Sequence, residues 1–114
     1  MSDDLSRFIP LSPAVLHILL ALAGEERHGY GIMHEVARQS DGRYKLGPGT
    51  LYDNLQKLME QGIVEETSTR VKDDDPRRRY YRLNRFGVEL LGAEIARLEV
   101  LFRQAKAHLR KAAV

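Results

Sequence analysis

The spacing of the apolar residues changes in the middle of the chain. Leucine and methionine first recur every three or four residues, at Leu51, Leu55, Leu58 and Met59, which is the spacing of a helix with one buried face. From Ile63 onward the residues instead form two short β-prone runs, TSTRV and YYRL, joined by the charged segment KDDDPRR. The pattern predicts a helix followed directly by a two-stranded hairpin with a basic tip.

An almost uniformly apolar helix is predicted near the start of the chain. Ser12 offers a side-chain oxygen to the free amides of its first turn, Pro13 fits the first helical position, and Gly24 marks its end. The apolar residues between them cover most of the helix circumference: Val15, Leu16, Ile18, Leu19, Leu20 and Leu22. A helix that is apolar on several sides is buried on several sides, so we expect one side to meet a second subunit.

Two further helices are predicted before the hairpin. The second runs from about residue 29 to residue 40 and is followed by a turn at Asp41 and Gly42. Its inward-facing residues are Ile32, Met33, Val36 and Ala37. The third begins at Pro48 and ends at Gly62. Because its leucines share one side, the residues on the other side face away from the core: Gly49, Thr50, Tyr52, Asp53, Gln56 and Lys57.

A helix followed by a basic hairpin is the last part of a winged helix. In that fold one helix enters the DNA major groove, and a flexible loop contacts the flanking backbone. The chain has seven basic and three acidic residues between positions 70 and 85, although its formal net charge is only +2. Phosphate contacts supply much of the affinity for DNA. The basic run at residues 77–79 is therefore interpreted as a DNA contact rather than as a solvated turn.

A long amphipathic helix is predicted at the end of the sequence. Asn84 caps it, and it extends over about 27 residues, from position 85 to position 111. Its apolar residues alternate in spacing between three and four: Val88, Leu91, Ile95, Leu98, Phe102, Ala105 and Leu109. This spacing is typical of a coiled-coil seam. A helix of this length spans roughly 40 Å, more than a small domain can cover, so the seam predicts a homodimer.

The composition limits the classes of protein that the chain can belong to. With 114 residues, 43% apolar and 30% charged, one folded domain is expected. Cysteine is absent, which excludes disulfides, thiolate metal sites and cysteine nucleophiles. The acidic start MSDDLSRF does not fit a secretory signal, and the apolar run VLHILLALA is too short to span a bilayer. We therefore expect a cytoplasmic protein without a membrane contact.

Neither a metal site nor an enzyme active site is expected. His17, His28 and His34 have no pair at a spacing of four within one helix, and no clustered carboxylates join them. His28 precedes the second helix and is expected to fix its start. The sequence contains no GxSxG, phosphate-binding loop or GxGxxG motif, and no histidine and carboxylate spaced for a triad. No cofactor is expected.

Three segments together resemble the PadR family of transcriptional regulators, in its short form with a single C-terminal helix. They are HGYGI at residues 28–32, GTLYDNLQKLMEQGIV at residues 49–64, and RRRYYRLNRFGVELL at residues 77–91. The resemblance implies a winged-helix dimer that binds a near-palindromic operator on double-stranded DNA, usually as a repressor released by a small molecule. Tyr52 matches the family's motif tyrosine, which implies a contact with the DNA backbone; the alternative is that it merely packs over the helix.

The sequence departs from the family pattern at two positions. Asn84 stands where threonine is common, and this change keeps the capping chemistry. Asp53 stands where proline is common and places a carboxylate near DNA phosphates. We interpret Asp53 as an early-turn partner of the helix dipole, with hydrogen bonding to cytosine as the alternative. Because of Asp53, we do not infer the operator preference of this chain from its relatives.

These observations lead to one overall expectation. The fold is mainly α with a small β-hairpin: residues 1–84 form a winged helix-turn-helix, and residues 85–114 form a dimerisation helix. The expected DNA contacts are Lys45, Thr50, Tyr52, Asp53, Gln56, Lys57, Arg70, Arg77, Arg78 and Arg79. The expected dimer contacts are Leu16, Leu19, Leu20, Leu91, Ile95, Leu98, Phe102 and Leu109.

Two questions stay open at the level of sequence. A small hydrophobic or aromatic effector would bind between the first and last helices of the dimer, in a pocket lined by leucine, isoleucine, valine and Phe102, unless that space is closed. The chain contains no tryptophan, so an aromatic ligand platform is not assumed. The alternative to a DNA-binding regulator is a winged-helix module for protein interaction or dimerisation that does not bind DNA.

Overall fold

The computed structural model describes residues 3–67 and 77–113. Its helices are α1 (Asp3–Ser6), α2 (Pro13–Leu22), α3 (Gly29–Gln39), α4 (Pro48–Glu60) and α5 (Arg85–Ala112). Its strands are β1 (Arg27–His28), β2 (Val64–Thr67) and β3 (Tyr80–Leu83). The described part of the chain is thus mainly α with a small sheet, as predicted.

The ends of the long helices follow from local chemistry that the sequence already shows. Ser12 caps α2 by accepting a hydrogen bond from the Val15 amide at 3.2 Å. Asn84 caps α5 in the same way, because its Oδ1 accepts from the Gly87 amide at 2.9 Å. The turn that ends α4 contains Gly62 with a φ of +75°, a conformation that costs glycine little. The four predicted main helices are confirmed to within two residues at each end.

The sheet has one strand more than predicted. Its antiparallel order is β1-β3-β2, so β3 is central and β1 pairs with it through Arg27 opposite Tyr81 and His28 opposite Tyr80. A strand of two residues is too short to show an alternating pattern, which explains why β1 was missed. The prediction also placed the strand before the wing too late, because β2 begins at Val64. Of the run TSTRV only its first residue lies in β2, and the other four lie outside the described residues.

The core forms where α2, α3 and α4 pack together under the sheet and the start of α5. Its fully buried large side chains are Ile18, Leu19, Leu22, Ile32, Leu51, Leu55, Ile63 and Leu90. The predicted apolar residues of α2 and the predicted inward faces of α3 and α4 supply six of these eight. Burial of this kind is the main favourable term in folding, and it fixes the orientation of α4 relative to the sheet.

Two of the expected dimer contacts belong to this core instead. Leu19 is 0% exposed and Leu91 is 5% exposed within a single protomer, so neither has surface left for a second subunit. The prediction was wrong for these two side chains because α2 and α5 pack against each other inside one chain. On α2, Leu16 and Leu20 remain half-buried.

Beyond its first part, α5 extends away from the core. Most side chains from position 99 to position 111 are exposed. Four exposed apolar residues follow one another at intervals of seven along the helix: Val88, Ile95, Phe102 and Leu109. We call these four residues the α5 stripe. No helix in the described ranges is both long enough and apolar enough to cross a lipid bilayer.

Two buried carboxylates, Glu94 on α5 and Glu35 on α3, accept hydrogen bonds from nearby groups. Glu94 is 1% exposed and accepts hydrogen bonds from the Leu11 amide at 2.8 Å and from Arg97 at 2.6 Å. The hydrogen bond from Arg97 lowers the pKa of Glu94, although burial opposes this effect. On α3, the hydrogen bond from Arg38 lowers the pKa of Glu35 to about 2. These carboxylates therefore stay ionised in the folded protein, and Glu94 anchors the segment that precedes α2.

Candidate nucleic-acid interface

One side of α4 is polar and exposed, as predicted. Leu51, Leu55 and Leu58 are buried under the helix. The exposed residues on the opposite side are Gly49, Thr50, Tyr52, Asp53, Gln56 and Lys57. We call these six residues the outward face of α4. A helix held by its leucines with short polar groups near its N-terminal end has the geometry of a helix that inserts into the major groove.

The arginines at residues 77–79 lie directly before β3, at the base of the wing, and all three are exposed. Arg79 Nη1 lies 3.1 Å from Glu66 Oε1 across the β2–β3 ladder, and Arg78 Nη1 lies 3.3 Å from His28 Nε2. Arg70, which was predicted to contact DNA, lies outside the described residues. An exposed ion pair contributes only about 0–1 kcal/mol to the stability of a fold. Replacing the pair of Arg79 and Glu66 by a contact between Arg79 and a DNA phosphate therefore costs little stability.

A cleft of about 420 Å³ opens between the first turn of α3, the outward face of α4 and the base of the wing. Its lining residues are His28, Gly29, Tyr30, Tyr52, Arg77, Arg78, Arg79 and Tyr81. We call it the basic cleft. It brings Tyr52 together with three arginines that the sequence predicted separately. Thr50, Asp53, Gln56 and Lys57 do not line it, and Lys45 lines a separate notch beside Tyr30 and His34.

Tyr52 packs against the first turn of α3. A Cβ atom at position 29 would overlap the Tyr52 hydroxyl, so only glycine at this position lets the phenol approach so closely. Even so, Tyr52 remains 49% exposed. The ring therefore packs over the first turn of α3, and its exposed part faces the basic cleft.

His28 and Tyr30 line the basic cleft but were not predicted as functional residues. His28 was expected to fix the start of the second helix, and this is confirmed because its Nδ1 accepts from the Gly31 amide at 3.0 Å. Tyr30 is 69% exposed. The motif HGYGI contains both residues, but its contact with the wing depends on the pairing of β1 with β3, which no local pattern shows.

Asp53 lies too far from the start of α4 to interact with the helix dipole. The helix begins at Pro48, and its first turn contains no acidic residue. The interaction of a side chain with the helix dipole falls off within the first turn. The interpretation of Asp53 as an early-turn dipole partner was therefore wrong. Its carboxylate is exposed on the outward face of α4.

Acids of the sheet balance part of the positive charge near the wing. Glu65 Oε1 lies 3.4 Å from Arg82 Nε, and Glu66 pairs with Arg79. Burial, with a further contribution from Glu66, raises the pKa of Tyr81, so this phenol stays neutral. Within residues 3–67 and 77–113, no three histidine, aspartate or glutamate side chains are grouped so that they could hold a metal ion. The chemistry of the site is that of hydrogen-bond donors and cations.

Comparison with known proteins agrees with this geometry. Residues 15–93 match the sequence model of the Transcriptional regulator PadR-like family. The chain belongs to the PadR-like family. It is 35% identical over 89 residues to the transcriptional regulator Rv3488 of Mycobacterium tuberculosis, and the match covers 78% of each protein. The family consists of transcriptional regulators rather than enzymes.

Solved structures confirm the winged-helix fold of this PadR-like protein. A transcriptional regulator from Clostridium thermocellum superposes with a TM-score of 0.69 at 21% identity, covering 94% of this chain and 96% of that one. The structure of Bacillus subtilis PadR in complex with operator DNA superposes with a TM-score of 0.63 at 21% identity, covering 75% of this chain and 48% of that one. The predicted fold class is therefore confirmed.

Proposed function

We propose that this PadR-like protein is a cytoplasmic, homodimeric repressor that binds a specific operator and is released by a small hydrophobic or aromatic effector. The observation that carries the proposal is the position of the basic cleft directly beside the outward face of α4. A groove-inserting helix and the three arginines at residues 77–79 on the same surface can contact base edges and backbone together. The Bacillus subtilis relative, solved with operator DNA, supports the same use of the fold.

The proposed contacts divide into two groups by chemistry. Cations and the Tyr52 hydroxyl contact phosphates, which position the protein on any DNA sequence. The phosphate group comprises Lys45, Tyr52, Arg70, Arg77, Arg78 and Arg79. Side chains with directional donors or acceptors on the outward face of α4 contact base edges. The base group comprises Thr50, Asp53, Gln56 and Lys57, in which the Asp53 carboxylate suits the amino group of cytosine.

The dimer is proposed to form along the α5 stripe. Phe102 and Leu109 are 55% and 68% exposed in the protomer, and exposed apolar positions repeated every seven residues are typical of a helix that packs on another helix. Leu16 and Leu20 of α2, together with Leu98 of α5, are proposed to extend this surface. The effector is proposed to bind here, beside Phe102, because binding between two protomers can change the spacing of their α4 helices. Residues 1–84 then act as the DNA-binding part and residues 85–114 as the dimerisation part.

Selection of bound fragments from genomic DNA, followed by titration of the selected operator across a salt series, tests DNA binding itself. We expect affinity to fall steeply as salt rises, because counterions are released from each neutralised phosphate. A protein-docking module without a DNA-binding function would show neither selected fragments nor a steep salt dependence. That result would overturn the proposed function.

Gln56→Ala is expected to relax the preference at one or two operator positions by about 1–3 kcal/mol, because a base contact is lost. Tyr52→Phe should instead weaken binding to all sequences alike, since its hydroxyl contacts the backbone. Titration of the operator and of its single-base variants measures both effects. Gln61→Ala, at the far end of α4, is the matched control and should bind as the wild type does. The two assignments would be reversed if Gln56→Ala weakened binding to all sequences equally and Tyr52→Phe changed the sequence preference.

Arg78→Ala is expected to weaken binding to every sequence and to reduce the slope of log affinity against log salt by about one. The reason is that one phosphate loses its cation. Salt titrations on operator and on random duplex DNA measure both quantities. Arg103→Ala removes an exposed arginine from the distal part of α5 and serves as the charge-matched control. An unchanged slope for Arg78→Ala would show that the wing does not contact DNA.

A further inference from the structure

The segment before α2 packs along α5. We call residues 3–12 the N-terminal strap. Its helix α1 contacts α5, and the Phe8 ring stands edge-on to the Phe86 ring at 5.7 Å and 74°. Further along, the Leu11 amide donates a hydrogen bond to Glu94 Oε2 at 2.8 Å. Because the strap leads directly into α2, these contacts connect α5 with the first helix of the core.

The contact between Glu94 and the strap is buried and directional. Glu94 is 1% exposed, and its Oε1 accepts from Arg97 Nε at 2.6 Å while its Oε2 accepts from the Leu11 amide. Replacing a buried ion pair by apolar residues is often neutral for stability, so packing alone does not require an acid at this position. Apolar contacts have no preferred direction, whereas a hydrogen bond to one main-chain amide has one. Glu94 therefore fixes where α5 lies relative to the strap.

Besides its buried leucines, two close contacts hold the first part of α5. At the start of the helix, Gly87 lies against the carbonyl oxygen of Ile63, which also accepts from the Asn84 amide at 3.2 Å. Glu94 lies seven residues further along, a distance of about 10 Å in a helix. One contact leaves a rod free to tilt, and a second contact removes that freedom. The hydrogen bond of Glu94 thus determines the tilt of α5 relative to the winged helix.

The part of α5 beyond Glu94 converts a small change of tilt into a large displacement. It extends to Ala112, over about 27 Å, and carries Phe102 and Leu109 of the α5 stripe. A tilt of about 10°, within the usual scatter of helix packing angles, would move its far end by about 5 Å. One base pair corresponds to only about 3.4 Å along the duplex. The tilt of α5 therefore affects which half-site spacing the two α4 helices of a dimer can match.

We propose that Glu94 is a positioning residue that sets the half-site spacing of the operator, by fixing the tilt of α5 through the Leu11 amide. This proposal rests on the proposed function, since a spacing exists only for a dimer on two half-sites. Glu94 is buried in the protomer, so it acts through α5 and not by contact with DNA. Binding to a single half-site does not depend on it.

Glu94→Met provides the test, because an apolar side chain of similar length keeps the packing and removes the hydrogen bond. The probes are the selected operator and two versions with one base pair added or removed between the half-sites. The wild type is expected to bind the altered versions about 10-fold more weakly, since both halves no longer engage together without strain. For Glu94→Met this difference should fall below about twofold, because α5 can then adopt several tilts. Its affinity for a single half-site should equal that of the wild type.

Two further variants test the same hydrogen bond. Glu94→Gln should restore the spacing preference, because its amide oxygen can still accept from Leu11 while Arg97, whose side chain is 37% exposed, turns to water. Leu11→Pro removes the donor, since proline has no amide hydrogen, and leaves Glu94 paired with Arg97. It should lose the preference as Glu94→Met does, and combining the two changes should add nothing. Leu11→Ala keeps the amide and is the control for the lost side chain.

Glu35→Met is the matched control for the loss of a buried carboxylate. Glu35 also pairs with an arginine three positions later, at 2.6 Å from Arg38 Nη2, but this hydrogen bond lies within α3. The variant should keep the spacing preference even where its Tm falls. Sedimentation should show a dimer for every variant, and thermal unfolding measures how much stability each has lost.

An unchanged spacing preference in folded Glu94→Met and Leu11→Pro would overturn the proposal. It would also be overturned if Glu35→Met lost the preference equally, because reduced stability would then be the cause, or if Glu94→Met became a monomer. If Glu94→Met does not fold, Leu11→Pro and Leu11→Ala decide by the same criteria. In these cases only this inference fails. If the wild type binds all three spacings equally, or binds no DNA, the proposed function fails together with it.

Discussion

If the proposed dimer forms, Phe102→Glu is expected to convert it into a folded monomer that binds operator DNA at least about 100-fold more weakly, since two linked half-site contacts become independent. Burying an uncompensated carboxylate costs several kcal/mol, and a symmetric dimer would bury two. Sedimentation and operator titration measure the two effects. Circular dichroism should show an unchanged helical content.

The position of Phe102 makes this test sharper than a change elsewhere in the seam. It is 55% exposed within the protomer, so a charge there leaves the core of one chain undisturbed. Leu91, by contrast, is buried in the protomer, and a charge at that position would unfold the chain before it tested the interface. Leu98→Glu would test the interface less clearly, because Leu98 is half-buried within the protomer and a charge there would also disturb the packing of one chain.

Val100→Glu is the matched control. Val100 is 49% exposed on the same helix, but it lies two positions before Phe102 and thus off the α5 stripe. It should remain dimeric and bind DNA normally. If the Phe102→Glu variant stayed dimeric, the interface would lie on another surface. The same would hold if Val100→Glu became monomeric while Phe102→Glu did not.

Gly87→Ala is expected to destabilise the fold by about 1–3 kcal/mol, as overpacking generally does. A Cβ atom at this position would overlap the backbone carbonyl oxygen of Ile63. That carbonyl also accepts from the Asn84 amide at 3.2 Å, so neither side of the contact can move without breaking the junction of α5 with β2. Thermal unfolding should show a fall in Tm of about 10 °C.

Gly92→Ala, in the same helix, is expected to stabilise the fold and to raise its Tm. A Cβ atom at position 92 would meet no atom within 4 Å, and alanine in a helix interior is favoured over glycine by about 0.5–1 kcal/mol. Comparing the two variants separates helix propensity from close packing. Equal shifts in Tm would show that α5 does not approach β2 at Gly87 as described.

The sequence by itself determined the parts of this protein that depend on neighbours within a few positions along the chain. The leucine spacing predicted which side of α4 is buried, because side chains at helical spacing share a face whatever they pack against. Ser12 and Asn84 predicted two helix starts, since a cap bonds an amide three residues away. The sequence also supplied the family, through three motifs in the expected order.

Only the tertiary structure decided which distant residues meet. It added β1, whose two residues show no period of their own but bring His28 to the base of the wing. It placed Leu19 and Leu91 in the core rather than in the expected interface. The sequence could not show this, because apolar residues recur at the same helical spacing whether they face a core or a second subunit. Glu94 reaches the Leu11 amide 83 positions away. Local spacing cannot show such contacts, because they depend on how whole elements pack and not on the order of residues within one element.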